Sequence, residues 1–370
     1  MTIPEPLIAQ PEFRQSLHTK TPESGVPETE LKMHTDVAGE IQTVSPSRRR
    51  GVEKKVALFA AKLLVTGACF WYVARQIDLS EVWSAVSLLD FRWAAFAIVM
   101  VMAQIPLVAA RWHGILGALA ALDARMTPLA MVAATAVGAF FTQVLPSVAG
   151  DGVRAWLIVR LGCEWRNAVM SVVIDRAVGA GLAIALGFVI LLLPSGLTAL
   201  GGYRLVVLVV FGALLVAGVL GLLLTPVFVP LLARWRYSSW IATLAASAHR
   251  VLLGRKSPAI LGLGCLVHLL TIVVVWSLAR AQGLGMPIAD AAVLFTVMIG
   301  VALVPISIGG WGLREIAVVS LLGHHGIAPE KALLFSLCFG LAFAIGSLPG
   351  AVAWLLYPFG GSQRSAARAT

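Results

Sequence analysis

Charge is what this chain has least of. Only 12% of its 370 residues are acidic or basic, about half the share in an ordinary soluble domain. Hydrophobic residues make up 59% and mean hydropathy is +0.90, which excludes a soluble globular protein of this size. Cysteine is nearly as rare. Cys69, Cys163, Cys265 and Cys338 are scattered, mostly within apolar segments, and form no CxxC pair. That spacing supports neither a disulfide framework nor a zinc site. Missing too are a nucleotide-binding glycine loop, a nucleophile elbow and an HExxH helix. Soluble-type catalysis therefore has no basis, and neither a cofactor nor a metal is expected. A secretory leader is also lacking, so the N-terminus is expected to be retained, with the first spanning helix as anchor.

What the chain has in abundance is apolar runs, at about 56–74, 91–110, 129–145, 168–193, 203–225, 259–280, 288–308 and 331–357. Runs of this length make an all-α, polytopic membrane protein. Residues 1–47 stand apart. Seven acids, three bases, several prolines and no long apolar run read as a disordered acidic tail. Residues 48–357 form a single transmembrane domain, and residues 358–370 a short cytoplasmic tail. Outside the acidic tail, 25 bases face 11 acids. In a soluble chain that excess would suggest nucleic acid. Here bases collected in cytoplasmic loops account for it, and no nucleic-acid partner is expected.

Eight simple transmembrane helices are the direct count, but loop charge argues against it. Arg48, Arg49, Arg50, Lys54 and Lys55 place the N-terminus inside, and the next loop is nearly neutral. Arg111, His113 and Arg125 mark a return to the cytoplasm. So does the basic loop 226–257, with Arg234, Arg236, Arg250, Arg255 and Lys256. Three apolar runs lie between these inner loops, and an odd number of simple crossings cannot join them. The conflict disappears if residues 129–162 enter the membrane, turn and leave on the same side. The uncharged loop 194–202 then lies outside. A second hairpin at 288–323, from the opposite face, brings Arg364 and Arg368 inside. The expected architecture is about six full crossings plus two re-entrant helical hairpins in inverted repeat, with both termini cytoplasmic. Many secondary transporters are built this way.

Each hairpin carries a proline–glycine motif closing on arginine. The first runs from Pro146 through Gly150, Asp151 and Gly152 to Arg154; the second runs from Pro305 through Gly309, Gly310 and Gly312 to Arg314 and Glu315. Proline and clustered glycine break a helix, and broken backbone at membrane depth survives only where protein buries it or it lines a cavity. Arg154 and Arg314 are each expected to start a helix after a glycine turn. Free backbone N–H groups and the positive helix end would then attract an anion such as a lipid phosphate. Loop ends at the interface are the plainer alternative. Asp151 and Glu315 could hold these arginines or carry protons. Asp175 and Arg176 sit inside an apolar run, where a charge costs about 2.5–3.5 kcal/mol on insertion scales. They either line a path, tie helices together as an ion pair, or snorkel. The second half has Gly340 where Arg176 would repeat. His268 reads as a hydrogen-bonded interior residue, and His324-His325 as a loop too poor in ligands for a metal.

These motifs resemble the lysylphosphatidylglycerol synthetase transmembrane-region family of flippase-like membrane proteins. The resemblance rests on Ala110-Arg111-Trp112, on Pro146 with Gly150-Asp151-Gly152-Val153-Arg154, on Ser171 through Asp175-Arg176, and on Gly309-Gly310-Trp311-Gly312 with Arg314-Glu315. It covers roughly residues 55–357. It implies movement of aminoacylated phosphatidylglycerol or other polar lipids between leaflets of a bacterial-type inner membrane. Membrane lipids with an anionic headgroup, or a lipid-linked substrate, are the expected partners. In fused family members aminoacyl transfer belongs to a separate soluble C-terminal domain. This chain stops about a dozen residues after its last crossing and is expected to lack that activity. Two other functions stay open: a small-solute or ion transporter, and a non-transporting partner of a lipid-modifying or glycosyl-transferring enzyme.

Overall fold

The computed structural model describes residues 86–144, 147–193, 203–233, 239–302 and 312–357, all within one compact unit, Leu58–Thr370. Both tails, the first apolar run, the 194–202 loop, Pro146, Pro305, Gly309 and Gly310 lie outside the described residues. Every element among the described residues is helical.

Helix α1 (Phe91–Ala118) starts on Asp90, whose carboxylate accepts from the Arg92 N–H at 2.9 Å. At 28 residues it is about 42 Å long, more than a bilayer core. Helices α2 (Pro128–Val144) and α3 (Ser147–Arg160) follow, then α4 (Trp165–Leu192), α5 (Tyr203–Leu223), α6 (Thr225–Ala233) and α7 (Ser239–Leu253). The remainder are α8 (Ser257–Ala281), α9 (Ile288–Ala302), α10 (Leu313–Gly323), α11 (Pro329–Gly346) and α12 (Leu348–Leu356). Five stretches are long and apolar enough to cross a membrane: Phe91–Ala118, Trp165–Leu192, Arg204–Leu223, Ser257–Ala281 and Pro329–Leu356. The last breaks at Ser347, ahead of Pro349. Helix α5 is clothed in exposed apolar side chains such as Leu205, Val209 and Leu220, as a lipid-facing helix should be. The chain is a multi-pass membrane protein.

Two corrections to the sequence expectation follow. Helix α1 runs on past residue 110, so Arg111 and His113 are helical and not in a cytoplasmic loop. The basic stretch 226–257 is also largely helical, as α6 and α7. The sequence pattern hides this because Thr243, Ser247, His249 and Arg250 interrupt the apolar residues of α7.

Helix α1 is the hub, packed by α8, α2, α11 and α4. Lipid is as apolar as leucine, so close packing and polar contacts hold such helices together, and small residues let backbones meet. The α2–α3 pair shows this well. A Cβ on Gly150 would stand 2.7 Å from the Thr142 nitrogen, and one on Gly138 would collide with the Arg154 stem. These two pairings set α2 and α3 in an antiparallel register. Helix α12 rests on α2, where a Cβ on Gly350 would strike the Ala136 carbonyl. One apolar core, with Trp112, Met131, Leu157 and Ile158, surrounds this pair. Another, with Val275, Phe295, Leu322 and Phe335, joins α8 to α11.

Candidate functional site

Between these helices lies a cavity of about 590 Å³, large enough for a small organic ligand. Seven helices wall it: α1, α2, α3, α4, α8, α9 and α11. Its lining is mostly apolar or small, and its charged groups come from three helices.

Asp175 is the centre. It lies ten residues into α4, about 15 Å along the axis, and is 1% exposed. Arg111 of α1 donates from Nε to its Oδ1 at 2.9 Å. Arg154 of α3 donates from both Nη atoms to its Oδ2 at 3.1 Å. Three helices are thus tied through one carboxylate. The Arg154 guanidinium also lies 4.2 Å from the Trp112 ring centroid, a cation–π contact strengthened by burial. Trp112 is fixed in turn: its Nε1 donates to Ser171 Oγ at 3.0 Å, and that hydroxyl donates to the Ala168 carbonyl at 2.8 Å.

Arg176 points elsewhere. Its Nε donates to both oxygens of Asp151 at 2.9 and 2.8 Å, and Asp151 also stands 3.8 Å from Arg154. The expected Asp175–Arg176 pair is therefore split between two partnerships. The reason is helical geometry: adjacent residues project about 100° apart and cannot share a face.

The glycine turn expected before Arg154 is also corrected. Gly150, Asp151, Gly152 and Arg154 all lie within α3, which starts at Ser147. Glycine inside a helix costs roughly 1 kcal/mol relative to alanine. At Gly150 the absent Cβ instead permits the close approach to Thr142. Arg154 thus acts through its side chain, not from a helix start.

The second motif differs. Gly312 has φ 87° and caps α10, placing Arg314 in the first turn. A left-handed backbone there favours glycine. Glu315, 0% exposed, accepts from the Gly312 N–H and from Arg314 Nη2 at 2.7 Å. Ser336 of α11 donates to the same carboxylate at 2.9 Å. Glu315 thus ties α10 to α11. Neither Arg314 nor Glu315 lines the cavity, so the described parts of the two motifs form separate clusters.

Further polar groups in the cavity wall escaped the sequence reading. Gln104 accepts from Thr271 at 3.2 Å, and the Oγ1 of buried Thr135 has no hydrogen-bond partner among the described residues. His268 Nε2 lies 2.9 Å from the Gly179 carbonyl, the interior hydrogen bond expected for it. Arg111 was the main omission. Its signal was the Ala110-Arg111-Trp112 run, where an arginine precedes a tryptophan and the helix continues. No His/Cys/Asp/Glu group among the described residues could hold a metal. Burial pushes the Cys163 thiol, between α3 and α4, up to about 11, so it offers no ready thiolate. In the α1–α2 loop, hydrogen bonds from Arg125 hold the Asp123 carboxyl down at about 2.

A comparison with curated proteins finds no match. A family description does match, and it spans every charged group just described. The chain belongs to the family of the lysylphosphatidylglycerol synthase transmembrane region, which it matches over residues 59–350.

Proposed function

We propose that this protein moves a phospholipid or lipid-linked polar molecule between the leaflets of a bacterial-type inner membrane, without catalysing a chemical reaction. The observation that carries this reading is a cavity, walled in part by helices long and apolar enough to cross a membrane, whose wall holds the Arg111–Asp175–Arg154 cluster. Ionisable groups inside a membrane are expensive, and their usual place is a substrate or ion pathway. A headgroup would pass through the cavity while its acyl chains stay in lipid.

In this reading α2–α3 and α9–α10 are re-entrant hairpins of opposite sense. Helices α2 and α3, with 17 and 14 residues, are about 25 and 21 Å long, short of a 30 Å bilayer core. Glu315 with Arg314 then anchors the second hairpin to α11. A scaffold for another enzyme would need paired charges and no open space. Each charge of the cluster has an opposite neighbour within 4 Å, but the cavity favours a ligand.

The test is leaflet transfer of fluorescent phospholipid in proteoliposomes, measured by a membrane-impermeant quencher. Wild-type protein should accelerate transfer over protein-free vesicles. Arg154→Ala should reduce that gain at least about tenfold, the scale of one lost charge-assisted contact of 1.5–3 kcal/mol. Equal transfer by wild type and Arg154→Ala would refute the assignment.

A further inference from the structure

The five charged side chains form one row of alternating sign: Arg111, Asp175, Arg154, Asp151, Arg176, with successive separations of 2.9, 3.1, 3.8 and 2.8 Å. Burial falls along it. The Arg111, Asp175 and Arg154 side chains are 7%, 2% and 6% exposed, Asp151 is 21% and Arg176 is 53%. The row therefore has a closed end, at Arg111, and an open end, at Arg176. Three guanidinium groups against two carboxylates leave one positive charge uncompensated. All of the row but Asp151 line the cavity; His268 is the other ionisable group on the described wall, and its Nε2 lies 2.9 Å from the Gly179 carbonyl.

Asp151 is the less enclosed of the two carboxylates. It stands 3.8 Å from Arg154, and its closer pair with Arg176 is partly exposed, where ion pairs are weaker. Both Asp151 oxygens accept from the one Nε of Arg176, whereas the two free oxygens of a phosphodiester match the whole fork of an arginine.

We propose that the cavity takes a monoanionic phosphodiester headgroup, and that Asp151 occupies Arg176 until that headgroup displaces it. This rests on the lipid-translocation reading and narrows its substrate. A monoanion brings the row to neutrality. A zwitterion leaves one charge over, and a net cationic aminoacyl lipid makes two. In a medium of low dielectric each uncompensated charge is costly. Arg176 is then the capture residue and Asp151 its internal competitor.

Calorimetric titration of the full-length protein in detergent tests this, using short-chain phosphatidylglycerol, phosphatidylcholine and lysylphosphatidylglycerol, together with soluble glycerophosphoglycerol. Phosphatidylglycerol should bind about tenfold more tightly than phosphatidylcholine, and lysylphosphatidylglycerol weakest. Asp151→Asn should tighten phosphatidylglycerol binding several-fold, and Arg176→Gln should weaken it about tenfold. The lipid ranking needs only wild-type protein, so a misfolded variant does not remove the test. Equal affinity for the three lipids, or tightest binding of the cationic one, overturns the proposal even if leaflet transfer is observed. Weaker phosphatidylglycerol binding in a folded Asp151→Asn protein also overturns it. Glycerophosphoglycerol binding as tightly as the lipid would keep the phosphodiester chemistry but make the ligand a free solute, overturning the lipid reading. Binding of none of the four overturns both.

Discussion

Asp175 and Arg176 are neighbours in sequence with opposite energetic weight. Removing one partner of a buried ion cluster leaves uncompensated charge and costs about 3–5 kcal/mol. Asp175→Asn leaves Arg111 and Arg154 facing each other and should lower the thermal unfolding midpoint in detergent substantially. Arg176→Gln disturbs a pair whose arginine is half exposed, worth less than about 1 kcal/mol, and should leave the midpoint nearly unchanged. Similar shifts for both would contradict this division. The sequence showed that both residues were costly within an apolar run, but not their partners. Those come from α1 and α3, and Arg111 is 64 positions from Asp175. Only helix packing reveals such a pairing. Arg111 was hidden for a further reason: a lone arginine at the end of an apolar run looks like a cytoplasmic loop charge.

Most of the helices could be located from hydropathy alone, because a bilayer leaves a backbone few other solutions. The antiparallel α2–α3 pair falls where the sequence carries its first proline–glycine motif, yet the glycines were misread. Gly150 and Gly152 looked like a turn and proved helical. The residue that explains Gly150 is Thr142, on the facing helix. Sequence cannot distinguish a glycine needed for a backbone angle from one needed for close approach. The two uses separate cleanly here, since Gly312 has φ 87° and Gly150 does not have a positive φ. Substitution at Gly138 follows from the same logic. Gly138→Val would push a branched side chain into the Arg154 stem and displace the guanidinium from Asp175 and Trp112. Overpacking of this kind costs typically 1–3 kcal/mol. Leaflet transfer should fall along with stability. Gly152→Val, where a Cβ meets nothing within 4 Å, should be far milder in both assays. Equal damage at the two positions would remove the argument for tight α2–α3 contact.

At the scale of the whole molecule, two helical cores share α1 and α4, and the cavity is walled by helices of both. The apparent likeness of the two proline–glycine motifs does not extend to their described surroundings. The first feeds a cavity, whereas the second closes on itself through Glu315, Arg314 and Ser336. The sequence is asymmetric as well, with Gly340 at the position that matches Arg176. The central claim is that lipid headgroups pass through the cavity, and filling it is the most direct test. Ala180 lines it from α4 and is not fully buried, so Ala180→Trp places an indole in the open space. Phospholipid transfer in proteoliposomes should then drop to the protein-free rate while the protein keeps a sharp gel-filtration profile. Undiminished transfer by folded Ala180→Trp protein would show that lipid takes another route.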